Sequence, residues 1–191
     1  MLNRLKATLA SFALLAGAVT AEAQSTTGLF LGVQYAGSSL SIKSAVEDLD
    51  FRGGFGLHAG IGLSDTWSVL ANFDRSALTG STTGTDVVLT QYDALLRMNM
   101  FSAAGGTLRV FLTGGATART ANAGRNFEQI APTAGGGVHV FVIPKIAVNG
   151  TALWTFGKLT QASQLTASQN GQFEPTGVRV QAGASLYLFS H

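Results

Sequence analysis

Along most of the chain, apolar and polar residues alternate with period two, the signature of β-strands whose two faces meet different surroundings. The clearest case is 178–189. There Val178, Val180, Ala182, Ala184, Leu186 and Leu188 share one face, and Arg179, Gln181, Gly183, Ser185 and Tyr187 take the other. Earlier segments repeat the pattern. Leu29, Leu31, Val33 and Tyr35 form one apolar row, and Phe55, Leu57, Ala59, Ile61 and Leu63 form a second facing Arg52, His58 and glycines. Trp67, Val69, Ala71 and Phe73 oppose Ser68, Asn72 and Asp74, with Leu70 an exception. Tyr92, Ala94, Leu96 and Met98 oppose Gln91, Asp93, Arg97 and Asn99. Similar rows run through 108–119, where Phe111 interrupts the polar face, and through 133–142 and 146–156, so the pattern predicts eight strands.

The connections alternate in length. Polar stretches at 37–50, 79–86, 120–131 and 161–177 are long, whereas Ser64-Asp65-Thr66, 102–107 and Pro144-Lys145 are tight. Long and short links should therefore lie at opposite ends of an up-and-down sheet.

Composition decides which solvent faces the apolar rows. The chain has 191 residues, 46% hydrophobic but only 12% charged, with 24 Gly, 3 Pro and no Cys. Soluble domains carry about 25% charged residues, and their surfaces about 25–35%. A water-soluble barrel with the apolar rows inside would need a charged exterior. Here the other face carries Gly, Ser, Thr, Asn and Gln, which suit the crowded interior of an eight-stranded barrel, and the apolar rows are expected to face lipid. Tyr35, Phe51, Trp154 and Phe156 toward the long loops, and Trp67 and Phe101 toward the short turns, fit two interfacial girdles.

The first 23 residues have the layout of a secretory signal peptide: Arg4 and Lys6, an apolar run over 7–19, and Ala21-Glu22-Ala23 as cleavage site. That run is too short for a spanning helix. The expected organisation is a signal peptide at 1–23 and one barrel domain at 24–191. A net charge of +2 offers no polybasic footprint, so no nucleic-acid partner is expected.

Seven charged residues fall on the small-polar face: Arg52, Asp74, Asp93, Arg97, Arg109, Arg119 and Arg179. Unpaired charges are costly in such an interior, so the two aspartates are expected to take bidentate bonds from some of these arginines. Which arginine pairs with which is left open. No catalytic, cofactor or metal site is assigned. Gly54-Phe55-Gly56-Leu57-His58-Ala59 spells a dinucleotide motif, but the alternation continues through Ile61 and leaves no helix N-terminus for a pyrophosphate. His58 and His139 share the inward phase but lack a third metal ligand. A Ser-His-acid set around His58 with Asp74 or Asp93 has no nucleophile elbow. Asn149-Gly150-Thr151 is a glycosylation string in mid-strand. Glu47, Asp48 and Asp50 form a small acidic cluster in the first long loop, and the last long loop is rich in Gln, Ser and Thr with Phe173 its sole aromatic.

Eight amphipathic strands, a signal peptide, short turns opposite long loops, and a last strand ending Tyr187-Leu188-Phe189 resemble the small Gram-negative outer-membrane barrels of the OmpA/OmpX type. The resemblance implies an all-β, antiparallel, up-and-down transmembrane barrel. It also implies termini in the periplasm and the longer loops outside the cell; the signal peptide points to export by the general secretory pathway, and no appended peptidoglycan-binding domain is expected after the eighth strand. The partners it implies are outer-membrane lipid, lipopolysaccharide and the barrel-assembly machinery, with an unidentified extracellular partner for the loops. In that family the terminal strand ends on an aromatic; here Ser190 and His191 follow Phe189, and Phe189 falls in the inward phase. The expected function is a plugged, non-enzymatic barrel with a structural or surface-interaction role. The alternatives are a narrow channel for small solutes or apolar molecules, and a lipid-modifying enzyme.

Overall fold

A strand that faces hydrocarbon has no water to satisfy its backbone, so it must pair on both edges. The computed structural model describes residues 25–42, 49–80, 86–122, 126–156, 160–161 and 175–188. The strands are β1 (Gly28–Ile42), β2 (Leu49–Gly62), β3 (Trp67–Gly80), β4 (Asp86–Ala103), β5 (Leu108–Asn122), β6 (Asn126–Ile143), β7 (Ile146–Thr155), β8 (Thr160–Gln161) and β9 (Pro175–Tyr187). Successive strands pair antiparallel, β9 pairs with both β1 and β7, and β5 pairs with β6, so the sheet closes. The two residues of β8 pair with β6 in the register already set by β7. They continue that lane, and the barrel has eight staves.

The outward rows meet the surroundings: Val33 is 61% exposed and Val180 52%. Tyr35, Trp154 and Phe156 near the long-loop end, and Trp67 and Phe101 near the short-turn end, are exposed as well. Near the short turns a register shift between Asn99 and Phe101 puts Met100 and Phe101 both outside. The two apolar interruptions of the polar phase, Leu70 and Phe111, point inward and are buried.

The strands reach further toward the long-loop end than the alternation suggests. β1 continues to Ile42 through Ser38-Ser39-Leu40-Ser41, and β6 begins at Asn126 inside the stretch expected to be loop. These extensions are paired backbone in which the apolar row is broken, by Ser39 and Ser41 in β1 and by Asn126 and Glu128 in β6, so the alternation does not mark them. The predicted signal peptide, Glu47, Asp48, Phe173, Phe189 and the last two residues lie outside the described residues, as do the side chains of Asp50, Phe51 and Arg52.

Inward glycines set how the interior fills. Gly32 on β1 lies opposite His58 of β2 on one side and Ser185 of β9 on the other. With no side chain there, His58 Nε2 reaches over β1 to Ser185 Oγ at 2.8 Å. Gly56 on β2 does the same between Gln34 and Asp74, which meet at 2.7 Å above it. The dinucleotide spelling thus lies wholly within a strand, where Gly56 makes room for the Asp74 side chain and Gly54 for the close approach of the β3 backbone.

Adding a methyl group at Gly32 would drive it into the His58 ring and the Ala184 carbonyl. Gly32→Ala is expected to lower the unfolding free energy by about 1–3 kcal/mol through overpacking. At the outward Gly150 an added Cβ makes only ordinary contact with Val138, so Gly150→Ala should stay within about 0.5 kcal/mol of the parent. Urea unfolding of the barrel refolded into lipid vesicles measures both.

Candidate functional site

The candidate site is the bore, described here from the short-turn end. Residues 25–27 precede β1 and are stapled over that mouth. Asp65, in the turn between β2 and β3, accepts the Thr26 backbone N–H at 3.2 Å on Oδ1. Its carbonyl accepts Asn99 Nδ2 at 2.6 Å and Arg109 Nη1 at 3.1 Å. Arg109 also donates to Thr26 Oγ1 at 3.2 Å and pairs with Asp65 Oδ1 at 3.4 Å. Since β5 stands four staves from β1, the Arg109–Thr26 bond spans the mouth. Asp65 reads in sequence as an ordinary turn acid, and only its meeting with Arg109 gives it a role.

Above the staple lies an aromatic collar. Tyr187 lies between Phe30 and Phe141, its ring centroid 5.2 Å from each and tilted to both. His139 lies 4.9 Å from Phe141, and its Nε2 shares a 3.3 Å hydrogen bond with the Tyr187 hydroxyl. Across the bore, the Arg97 guanidinium sits 4.2 Å from the Phe111 ring centroid and 5.9 Å from that of Phe30. A cation over a ring face is attracted by the ring quadrupole, most strongly away from water.

The centre is a charge clasp. Arg179, on β9, reaches Asp74 Oδ2 through Nη1 at 2.8 Å and Asp93 Oδ2 through Nη2 at 2.5 Å. Asp74 and Arg179 are 0% and 2% exposed. Asp74 also accepts Gln34 Nε2 at 2.7 Å and Gln181 Nε2 at 2.6 Å. Asp93 accepts Asn72 Nδ2 at 3.0 Å and the Thr117 hydroxyl at 2.7 Å. From Thr117 the hydroxyls of Thr133 and Thr155 continue the chain at 2.6 and 2.8 Å. His58 Nδ1 joins through Gln34 Oε1 at 3.0 Å. One connected path therefore touches every stave: His58 on β2, Gln34 on β1, Asp74 on β3, Arg179 on β9, Asp93 on β4, Thr117 on β5, Thr133 on β6 and Thr155 on β7.

The seven charges singled out from sequence thus divide. Asp74, Asp93 and Arg179 come together. The expected fork of two parallel bonds to one carboxylate does not form; one guanidinium bridges two carboxylates, one nitrogen to each. Asp74 and Asp93 sit on adjacent strands at positions offset along the wall, since Asp74 is opposite Gln91 and Asp93 opposite Asn72. That spacing presents one oxygen to each Nη. Arg97 belongs to the collar and Arg109 to the staple. Arg119 is buried, with no hydrogen-bond partner for Nε or Nη1. Arg52 lies in β2 opposite Ser38.

Chemically, the two carboxylates are occupied by donors. His58 has serine on one side and an amide on the other, so Asp74 is reached only through Gln34 and no carboxylate orients the ring as a Ser-His-acid set requires. Asn149, from the glycosylation string, faces inward and donates to Ser185 Oγ at 2.9 Å. Among the described residues no three His, Cys, Asp or Glu side chains cluster as metal ligands.

No family model matches the sequence, and no curated protein matches it either. Solved structures do match. Neisserial surface protein A aligns with a TM-score of 0.61 at 15% identity, covering 85% of this chain and 98% of its own. The outer membrane protein OprG of Pseudomonas aeruginosa aligns at 0.57 and 12%, covering 86% and 97%. Ail, the attachment invasion locus protein of Yersinia pestis, aligns at 0.55 and 13%, covering 85% and 100%. Closed through β5 and β6, apolar outside and polar within, this chain has the eight-stranded, up-and-down fold of the small Gram-negative outer-membrane barrels.

Proposed function

We propose that this chain resides in the outer membrane of a Gram-negative bacterium as a plugged barrel, and that its work is structural or done by its surface loops rather than by its bore. The carrying observation is the continuous side-chain path through Arg179, which engages all eight staves and crosses between the opposed strands β9 and β4. Below it, the collar around Arg97 and the Thr26–Asp65–Arg109 staple obstruct the same axis twice more. The exterior supports the membrane address, because large apolar side chains ring the barrel at exposures suited to hydrocarbon. The surface-interaction role draws on the neighbours by name: one is a surface protein, and another an attachment invasion locus protein also solved in complex with the heparin analogue sucrose octasulfate. On this reading, lipopolysaccharide and phospholipid surround the wall, the assembly machinery inserts it, and the loops meet the extracellular partner.

A channel role requires the clasp to open. Planar-bilayer recordings of the purified barrel are expected to show no large, stable single-channel steps. Regular steps that change size in Asp93→Ala or Arg97→Ala would establish a conducting bore instead.

A plug of this kind also makes a stability statement. Arg179→Leu leaves Asp74 and Asp93 buried without their cation and is expected to cost about 3–5 kcal/mol. Converting both aspartates to asparagine in the Arg179→Leu background should recover most of that loss. Urea unfolding from lipid vesicles gives both numbers.

A further inference from the structure

We propose that Arg97 forms, with the amide and hydroxyl groups around it, a buried site for one small monovalent anion of the halide class. Among the described buried charges, Arg109 pairs with Asp65 at the mouth, and Arg97, Arg119 and Arg179 stand against two carboxylates, Asp74 and Asp93. Both aspartates are committed elsewhere: Asp74 accepts from Gln34, Gln181 and Arg179, and Asp93 from Asn72, Thr117 and Arg179. Arg119 feels Asp93 but also the stronger repulsion of Arg179, and like Arg97 it has no carboxylate bond among the described residues. Of these two arginines, Arg97 is the one that lines a small cavity. It is 7% exposed, its Nε has no hydrogen-bond partner, no carboxylate pairs with it among the described residues, and its guanidinium lies over the faces of Phe111 and Phe30 within electrostatic reach of Tyr187.

Two aromatic faces soften the cost of a buried cation, yet they carry no net charge to neutralise it. Beside Arg97 is an enclosed cavity of about 10 Å³, room for one body of roughly water size. Polar groups on its wall include Gln34, Asn72, Asn149, Thr151 and Gln181; the Gln34 and Gln181 amides already donate to Asp74, and Asn72 Oδ1 is buried without a partner. Asn149 spends one amide hydrogen on Ser185 and keeps the second, and Thr151 brings a hydroxyl. A guanidinium joined by N–H and O–H donors around a one-body space is the chemistry of a monatomic anion site. Water would satisfy the hydrogen bonds but leave the surplus charge in place.

The site is tested on the full barrel purified from membranes in detergent. Crystals soaked in bromide are expected to show an anomalous scattering peak beside Arg97. In solution, replacing gluconate with chloride should raise the unfolding midpoint saturably by about 2–4 °C. Arg97→Leu, which keeps an apolar contact with Phe111, should abolish that rise, while a barrel altered at the exposed Lys145 keeps it. Bromide-soaked crystals with water but no anomalous peak at Arg97 would overturn the proposal. So would a chloride effect of equal size in Arg97→Leu, which would trace it to the surface. Should Arg97→Leu fail to insert, the bromide result on the parent decides alone.

Discussion

Hydrocarbon neither donates nor accepts hydrogen bonds, and from that constraint the rest of the molecule follows. A sheet facing lipid cannot leave an edge unpaired, so β5 must find β6 and the wall must close. Closure at eight staves leaves an interior only wide enough for side chains to interlock. Polar residues turned into that space are denied bulk water just as the outer face is, and can be satisfied only by one another. The path from His58 to Thr155 is this second closure, made in side chains as the first is made in backbone. Its reach across non-adjacent strands depends on positions where a side chain is missing. Gly56 lies beneath its Gln34–Asp74 link, and Gly32 beneath the branch from His58 to Ser185, which explains why a glycine-rich inner face can also be a densely bonded one.

This division of labour also sets what the sequence could reveal. Strand number, the lipid-facing phase and the alternation of short and long connections are local, repeating properties, and each is legible in the period-two pattern together with the shortage of charge. Leu70 and Phe111 look like errors in that pattern and prove to be interior packing. Strand ends are less visible, because above the apolar band the regular alternation breaks, with serines in the outward phase of β1 and a mostly polar start to β6, so neither stands out from loop. That Arg179, of the five inward arginines, is the one that bridges Asp74 and Asp93 was not legible. It depends on the stagger of strands three and four staves apart, whereas alternation records only which face a residue takes. Asp65 was hidden for a related reason: a single acid in a tight turn has many local uses, and its bonds to Thr26 and Arg109 arise from chain closure.

A buried ion pair is seldom the most stabilising way to fill a core, and apolar replacements of similar volume often match or exceed it. The clasp makes better sense as a lock on register. Sliding any one stave by a single residue would exchange its faces. For β3, β4 or β9 that slip would turn Asp74, Asp93 or Arg179 toward hydrocarbon and strand their partners inside. A slipped strand made only of Val, Ala, Gly and Thr would meet a far smaller penalty, since those residues tolerate either face. The three charges therefore raise the free energy of misregistered barrels more than they lower that of the native one. Placing them on β3, β4 and β9 ties the last strand of the sequence to the middle of the sheet, so the lock engages only once the chain has come round to close.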